Sequence, residues 1–127
     1  MQYMSFDKDI VKDTLLQICE AMEQLIEWNK NISTPDDYAI TPDGVKTLAA
    51  TCMLIEAIGE GIKKIEKRTN GTLLNNLHPD IPWKEIMGMR DHIAHGYFQI
   101  DAEFVFDTVS NDLKPLQIAI EDIIRQL

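Results

Sequence analysis

Residues 41–68 read TPDGVKTLAATCMLIEAIGEGIKKIEKR, and the spacing of their apolar side chains decides the fold class. Thr41 can cap a helix, Pro42 fits its first turn, and Asp43 suits the positive end of its dipole. Behind that start, Val45, Leu48, Ala49, Cys52, Ile55, Gly59, Ile62 and Ile65 or Glu66 recur at three- and four-residue spacing. This predicts one buried side of a helix that runs to about Arg68. Gly59 inside a helix costs ~1 kcal/mol relative to alanine; the close approach of another helix would explain it, and it is one reason to expect a homodimer. Lys63, Lys64, Lys67 and Arg68 crowd the last turns, and Asn70-Gly71 stops the helix. These cations suit either an RNA backbone or the negative C-terminal end of the helix, and the second reading is the simpler.

Working outward, a first helix is predicted from about Phe6 to Asn29. Its buried stripe would be Phe6, Ile10, Val11, Leu15, Ile18, Met22, Leu25 and Ile26, with Asp7, Lys8, Asp13, Glu20, Glu23 and Glu27 mostly solvated. Turn formers and Pro35 break the pattern over residues 31–38. On the other side, residues 73–82 read as a loop. A short third helix starts near Trp83, carries Ile86, Met87, Arg90 and Ile93, and ends near Gly96. Asp101 can cap the last helix, whose inward set is Phe104, Val105, Val109, Leu113, Leu116, Ile120, Ile123 and Ile124 or Leu127. Pro115 lacks a backbone donor and predicts a kink or a split in that helix. No repeat, low-complexity tract, glycine-rich phosphate loop or strand alternation interrupts this pattern. The prediction is an all-α bundle in a single domain over residues 1–127, with long first, second and last helices.

The chain of 127 residues is long enough for one domain with a real core. It is 45% hydrophobic and 26% charged, a globular balance. No apolar run approaches the ~20 residues of a membrane span. Residues 1–9 lack the basic and apolar regions of a signal peptide. Cys19 and Cys52 form no close pair and lie in apolar helical patterns, which predicts buried reduced thiols in a cytoplasmic protein. The net charge of −9 argues against general binding of nucleic-acid backbones, so any RNA contact must be local.

The chemistry-bearing stretch is Met89-Arg90-Asp91-His92-Ile93-Ala94-His95-Gly96-Tyr97-Phe98. Arg90 is a permanent cation with a planar fork of donors suited to a phosphate. His95 can exchange a proton near neutral pH, Tyr97 adds a hydroxyl, and Gly96 lets the backbone turn between the two rings. One group to hold charge and one to move a proton suit work on a phosphodiester. Asp91 could orient a histidine or pair with Arg90. The same residues also fit structural histidines beside a surface Arg–Asp pair. On a regular helix Arg90 and His95 point ~140° apart, so they converge only at a helix end, at a distortion, or across two subunits. His92 and His95 share a face, but no third ligand stands at motif spacing, so neither a metal nor a cofactor is expected.

Together these residues resemble the HepT-like branch of the HEPN superfamily. The resemblance is carried by Ile58-Gly59-Glu60, then Pro79-Asp80-Ile81-Pro82-Trp83, then Met89-Arg90-Asp91, His95-Gly96-Tyr97-Phe98 and Asp101. The matching order and spacing span roughly residues 10–125. The resemblance implies a four- or five-helix up-down bundle that dimerises with the Arg/His motifs of two subunits near the two-fold axis. It further implies a metal-independent ribonuclease that is the toxin of a pair whose antitoxin is a minimal nucleotidyltransferase. Arg90 and His95 would be catalytic, Asp91, Glu60 and Tyr97 supporting, and Tyr97 the residue that the antitoxin modifies with AMP. Such motifs commonly carry Asn where this chain has Asp91, which adds negative charge beside the phosphate site. Two alternatives remain: a non-catalytic HEPN subunit that pairs with a nucleotidyltransferase as a binding or regulatory module, and a plain structural bundle.

Overall fold

A computed structural model of the chain describes residues 6–93 and 99–127. Helix α1 spans Lys8–Trp28 and is capped by the Asp7 carboxylate, which accepts from the amides of Asp9 and Ile10. Val11, Leu15, Ile18, Met22 and Leu25 are buried as the periodicity predicts. Ile10 and Ile26, placed in the same stripe by sequence, are instead exposed at 39% and 43%. At ~100° per residue they lie roughly 100° and 60° from the centre of the buried set, on its flanks.

The connection to the second helix is more ordered than its turn-forming composition suggests. It contains a 3-10 turn, Pro35–Tyr38, where the Asp37 carboxylate accepts from the amides of Ser33 and Thr34. Tyr38 is fully buried and donates its hydroxyl to Asn29 Oδ1 at 2.5 Å. Asn29 Nδ2 in turn donates to Thr51 Oγ1 at 2.9 Å and to the Leu25 carbonyl. This buried chain ties the end of α1 to the next helix with its polar groups satisfied.

Helix α2, Pro42–Arg68, begins where the sequence places it, with Thr41 Oγ1 accepting from the Gly44 amide at 2.9 Å. It packs against α1, the 3-10 turn and three later helices, and so occupies the middle of the bundle. Ile55, Ile58, Ile62 and Ile65 are buried, whereas Val45 and Ala49 face solvent, roughly 100° and 140° from the centre of the buried set. Residues 73–82 are not all loop: Leu74–Leu77 forms a single turn, α3, with Leu73 and Leu74 fully buried.

The predicted third helix is broken in two at Gly88, giving α4, Trp83–Met87, and α5, Met89–Ile93. Gly88 leaves helical geometry with ψ near 12°, a departure that the weak helix propensity of glycine permits. Its predicted end at Gly96 lies outside the described residues. The last helix starts with Asp101 Oδ1 accepting from the Phe104 amide at 3.0 Å. It runs as α6, Ala102–Asp107, a π-helical turn, Thr108–Asp112, and α7, Leu113–Gln126. The widened turn sits where Pro115 lacks a donor and its ring crowds the carbonyl four residues back, which is the split the proline predicts. Helix α7 packs against α1, and the buried faces of α1, α2 and α7 make most of the core. The fold is an all-α bundle, with no strand element and no helix long and apolar enough to cross a membrane among the described residues.

Candidate functional site

The placement of the motif begins with a glycine contact. A Cβ on Gly59 would stand 2.9 Å from the Ile86 carbonyl oxygen, so α4 lies directly on the backbone of α2. The close approach predicted for Gly59 is thus real, and it is made within one chain. Trp83 anchors the start of α4 by burial and by donating Nε1–H to the His78 carbonyl at 2.9 Å. Ile86 continues this buried row, and Ile93, fully buried, pins the far end of α5. Arg90, Asp91 and His92 are thereby turned outward and are exposed. The Ile93 carbonyl accepts from the Asp101 amide at 2.9 Å, and α5 lies beside α6.

His95, Gly96 and Tyr97 lie outside the described residues. Among the described residues, no carboxylate comes within ion-pair distance of the Arg90 guanidinium, so the surface Arg90–Asp91 pair weighed from the sequence is not formed. Glu60 follows Gly59 on α2, is exposed, and lies 3.6 Å from Lys63. At that exposure the contact contributes little to stability. Lys67 and Arg68 occupy the last turn of α2, where they complement its C-terminal carbonyls. Cys52 is buried, and burial first, then Glu56, pushes its thiol up to about 11. Cys19 is only half-buried, less than its helical pattern predicts, and is also raised, chiefly by desolvation. Neither thiol is an activated nucleophile.

The sequence reading missed a groove beside the motif. It has a volume of about 580 Å³ and lies between α4 and α5 on one side and α6, the π turn and α7 on the other. Ile55, Ile58 and Ile86 line its floor, and Met89 and His92 bring α5 to it. The His92 ring stacks on Phe104 with centroids 5.6 Å apart and planes 26° from parallel. Asp80, Glu85 and Asp112 also line it. The Asp112 carboxyl is raised above its ordinary value, first by desolvation and then by Asp107 and Glu85, so this wall carries like-charge stress. No local motif signals the groove, because its lining combines α2, the loop before α4, and the successive helical elements from α4 to α7.

Comparison with known proteins adds to this geometry. The profile of the family described as Ribonuclease HepT-like matches residues 41–123. A Thermococcus cleftensis protein named probable ribonuclease HepT is 35% identical over 84% of this chain and 88% of its own length. Proteins named as putative RNases are similar too. One from Methanocaldococcus jannaschii is 32% identical over 92% of this chain and 89% of its own length. Another, from Caldanaerobacter subterraneus, is 34% identical over 88% of this chain and 89% of its own. No solved structure matches the chain.

Proposed function

The chain belongs to the HepT-like ribonuclease family, and on that premise we propose that it is an endoribonuclease working without a metal, the toxin partner of a minimal nucleotidyltransferase antitoxin. The observation that carries this reading is Arg90, held outward on a short helix anchored by Ile86 and Ile93, with its guanidinium clear of the described carboxylates. A guanidinium is suited to the two non-bridging oxygens of a phosphodiester in its transition state. His95, five positions along, is the general acid/base that takes the proton from the attacking 2′-hydroxyl and returns one to the leaving oxygen. Asp91, next to Arg90 on α5, and Glu60, next to Gly59 on α2, have supporting roles in this proposal.

The active form in this proposal is a homodimer. Gly59 does not argue for it, since its close neighbour is Ile86 of the same chain. The argument is the ~140° between Arg90 and His95 on a regular helix, which two subunits near a shared axis overcome. Tyr97 is the modification site: a nucleotidyl group there would set negative charge against Arg90 and block the RNA phosphate. The non-catalytic reading draws on the net charge of −9 and the acidic groove beside the motif. A defined single-stranded RNA incubated with purified protein tests the proposal. Cleavage that persists in a chelator supports it, and cleavage abolished by chelator and restored by magnesium contradicts it.

A further inference from the structure

We propose that the groove between α5 and the α6–α7 corner is a nucleobase subsite, which receives an unstacked base with donor groups on its Watson–Crick edge, guanine above all, beside the phosphate held by Arg90. This rests on the ribonuclease reading and adds a specificity element to the same site.

The lining favours a base over other occupants of an RNA strand. Its floor is aliphatic and its mouth carries the stacked pair His92 and Phe104, a platform of the kind on which splayed RNA bases lie. Besides His92 and Thr108, the polar residues that line it are the carboxylates Asp80, Glu85 and Asp112. Carboxylates only accept hydrogen bonds when ionised, so they repel a phosphate and select a neutral ring that donates. Guanine presents a ring N–H and an amino group side by side, which one carboxylate can accept together. Cytosine and adenine offer one amino group beside an acceptor, and uracil offers one N–H between two carbonyls.

Connectivity places the base next to the reacting phosphate. Met89 and His92, at i and i+3, share the face of α5 that lines the groove. On a regular helix Arg90 is turned ~100° from Met89 and ~160° from His92, out of the groove. A strand that crosses α5 can place one base in the groove and a neighbouring phosphate at the guanidinium. A volume of about 580 Å³ falls within the range of small-molecule sites, roughly 300–1,000 Å³.

The test is a titration of the full-length protein with guanosine and with uridine, followed by the aromatic NMR signals of His92 and Phe104, alongside cleavage mapping on a single-stranded RNA of mixed sequence. Guanosine is expected to move both signals and to bind about 5- to 150-fold more tightly than uridine, the discrimination of one good bidentate contact. The double change Asp112→Asn and Glu85→Gln should erase that preference and the matching bias at the cleavage position, with the helical circular dichroism spectrum unchanged. Signals that do not respond to guanosine, equal binding of the two nucleosides, or a preference untouched in the double variant would overturn the proposal. Filling of the groove by a protein segment that guanosine cannot displace would overturn it too. The two readings separate cleanly: guanosine binding without any RNA cleavage sinks the ribonuclease and keeps the base site, whereas cleavage with no base bias and no guanosine binding does the reverse.

Discussion

Replacing Gly59 with alanine adds a single methyl group at the contact that positions the whole α4–α5 unit. The added Cβ would stand 2.9 Å from the Ile86 carbonyl oxygen, a backbone atom that cannot rotate aside. Two opposing terms decide the outcome. Alanine in mid-helix gains ~1 kcal/mol of intrinsic propensity over glycine. Forcing a methyl into a filled contact costs about 1–3 kcal/mol, because helix α4 must move as a body. The net is a loss of about 1 kcal/mol, within a range of roughly 0–2, equivalent to ~3–5 °C in midpoint for a chain of this length. Gly61 is the internal control. There a Cβ meets Ile18 Cδ1 and Cγ1 at 3.1 Å, the movable end of a side chain, so Gly61→Ala should be neutral or gain up to ~1 kcal/mol. Thermal unfolding followed by circular dichroism compares the two variants directly. Because Arg90 rides on the displaced unit, Gly59→Ala should also lose RNA cleavage beyond what its stability explains. A Gly59→Ala protein as stable as Gly61→Ala would refute the contact and the positioning argument built on it.

Asn29→Ala should lower stability by about 2–4 kcal/mol in denaturant titration, because it strands the buried hydroxyls of Tyr38 and Thr51 at once. The Asp122 carboxyl is held below its ordinary value of 3.8, chiefly by the hydrogen bond to His78 Nε2 at 2.7 Å. Its stabilisation is present above 3.8 and lost as pH falls through the lowered folded value, so the gap in melting temperature between the parent and Asp122→Asn should shrink on acidification through that window. Co-expression with a neighbouring nucleotidyltransferase should add AMP to Tyr97, read by intact mass, and Tyr97→Phe should escape neutralisation; an unmodified Tyr97, or a Tyr97→Phe protein neutralised as fully as the parent, would make that tyrosine structural.

Sequence periodicity located the three long helices because each buries a stripe wide enough to dominate its pattern. The caps at Thr41 and Asp101 were legible as well, since a short polar side chain before an apolar run has few other uses. Three features were not legible. Tyr38 sits in a run of turn formers, and its burial depends on Asn29 and Thr51, which come from the two flanking helices. The break at Gly88 follows from α4 and α5 packing separately on α2, a tertiary preference that a nearly continuous helical pattern conceals. Gly59 was read as a close approach and as a reason to expect a homodimer, but its close neighbour is Ile86 of the same chain. For the site, the motif announced Arg90 by residue type alone. The adjoining groove is assembled from distant segments whose side chains are individually ordinary.

The central claim is that Arg90 and His95 together cleave RNA. Its most direct test is incubation of the purified protein with total RNA beside the His95→Ala variant, with matched helical content in both. Removing a general acid/base typically lowers the rate by ~10²–10⁴-fold, so the variant should leave RNA nearly intact over a time in which the parent degrades it. Equal cleavage by the two proteins, or none by the parent, would contradict the account.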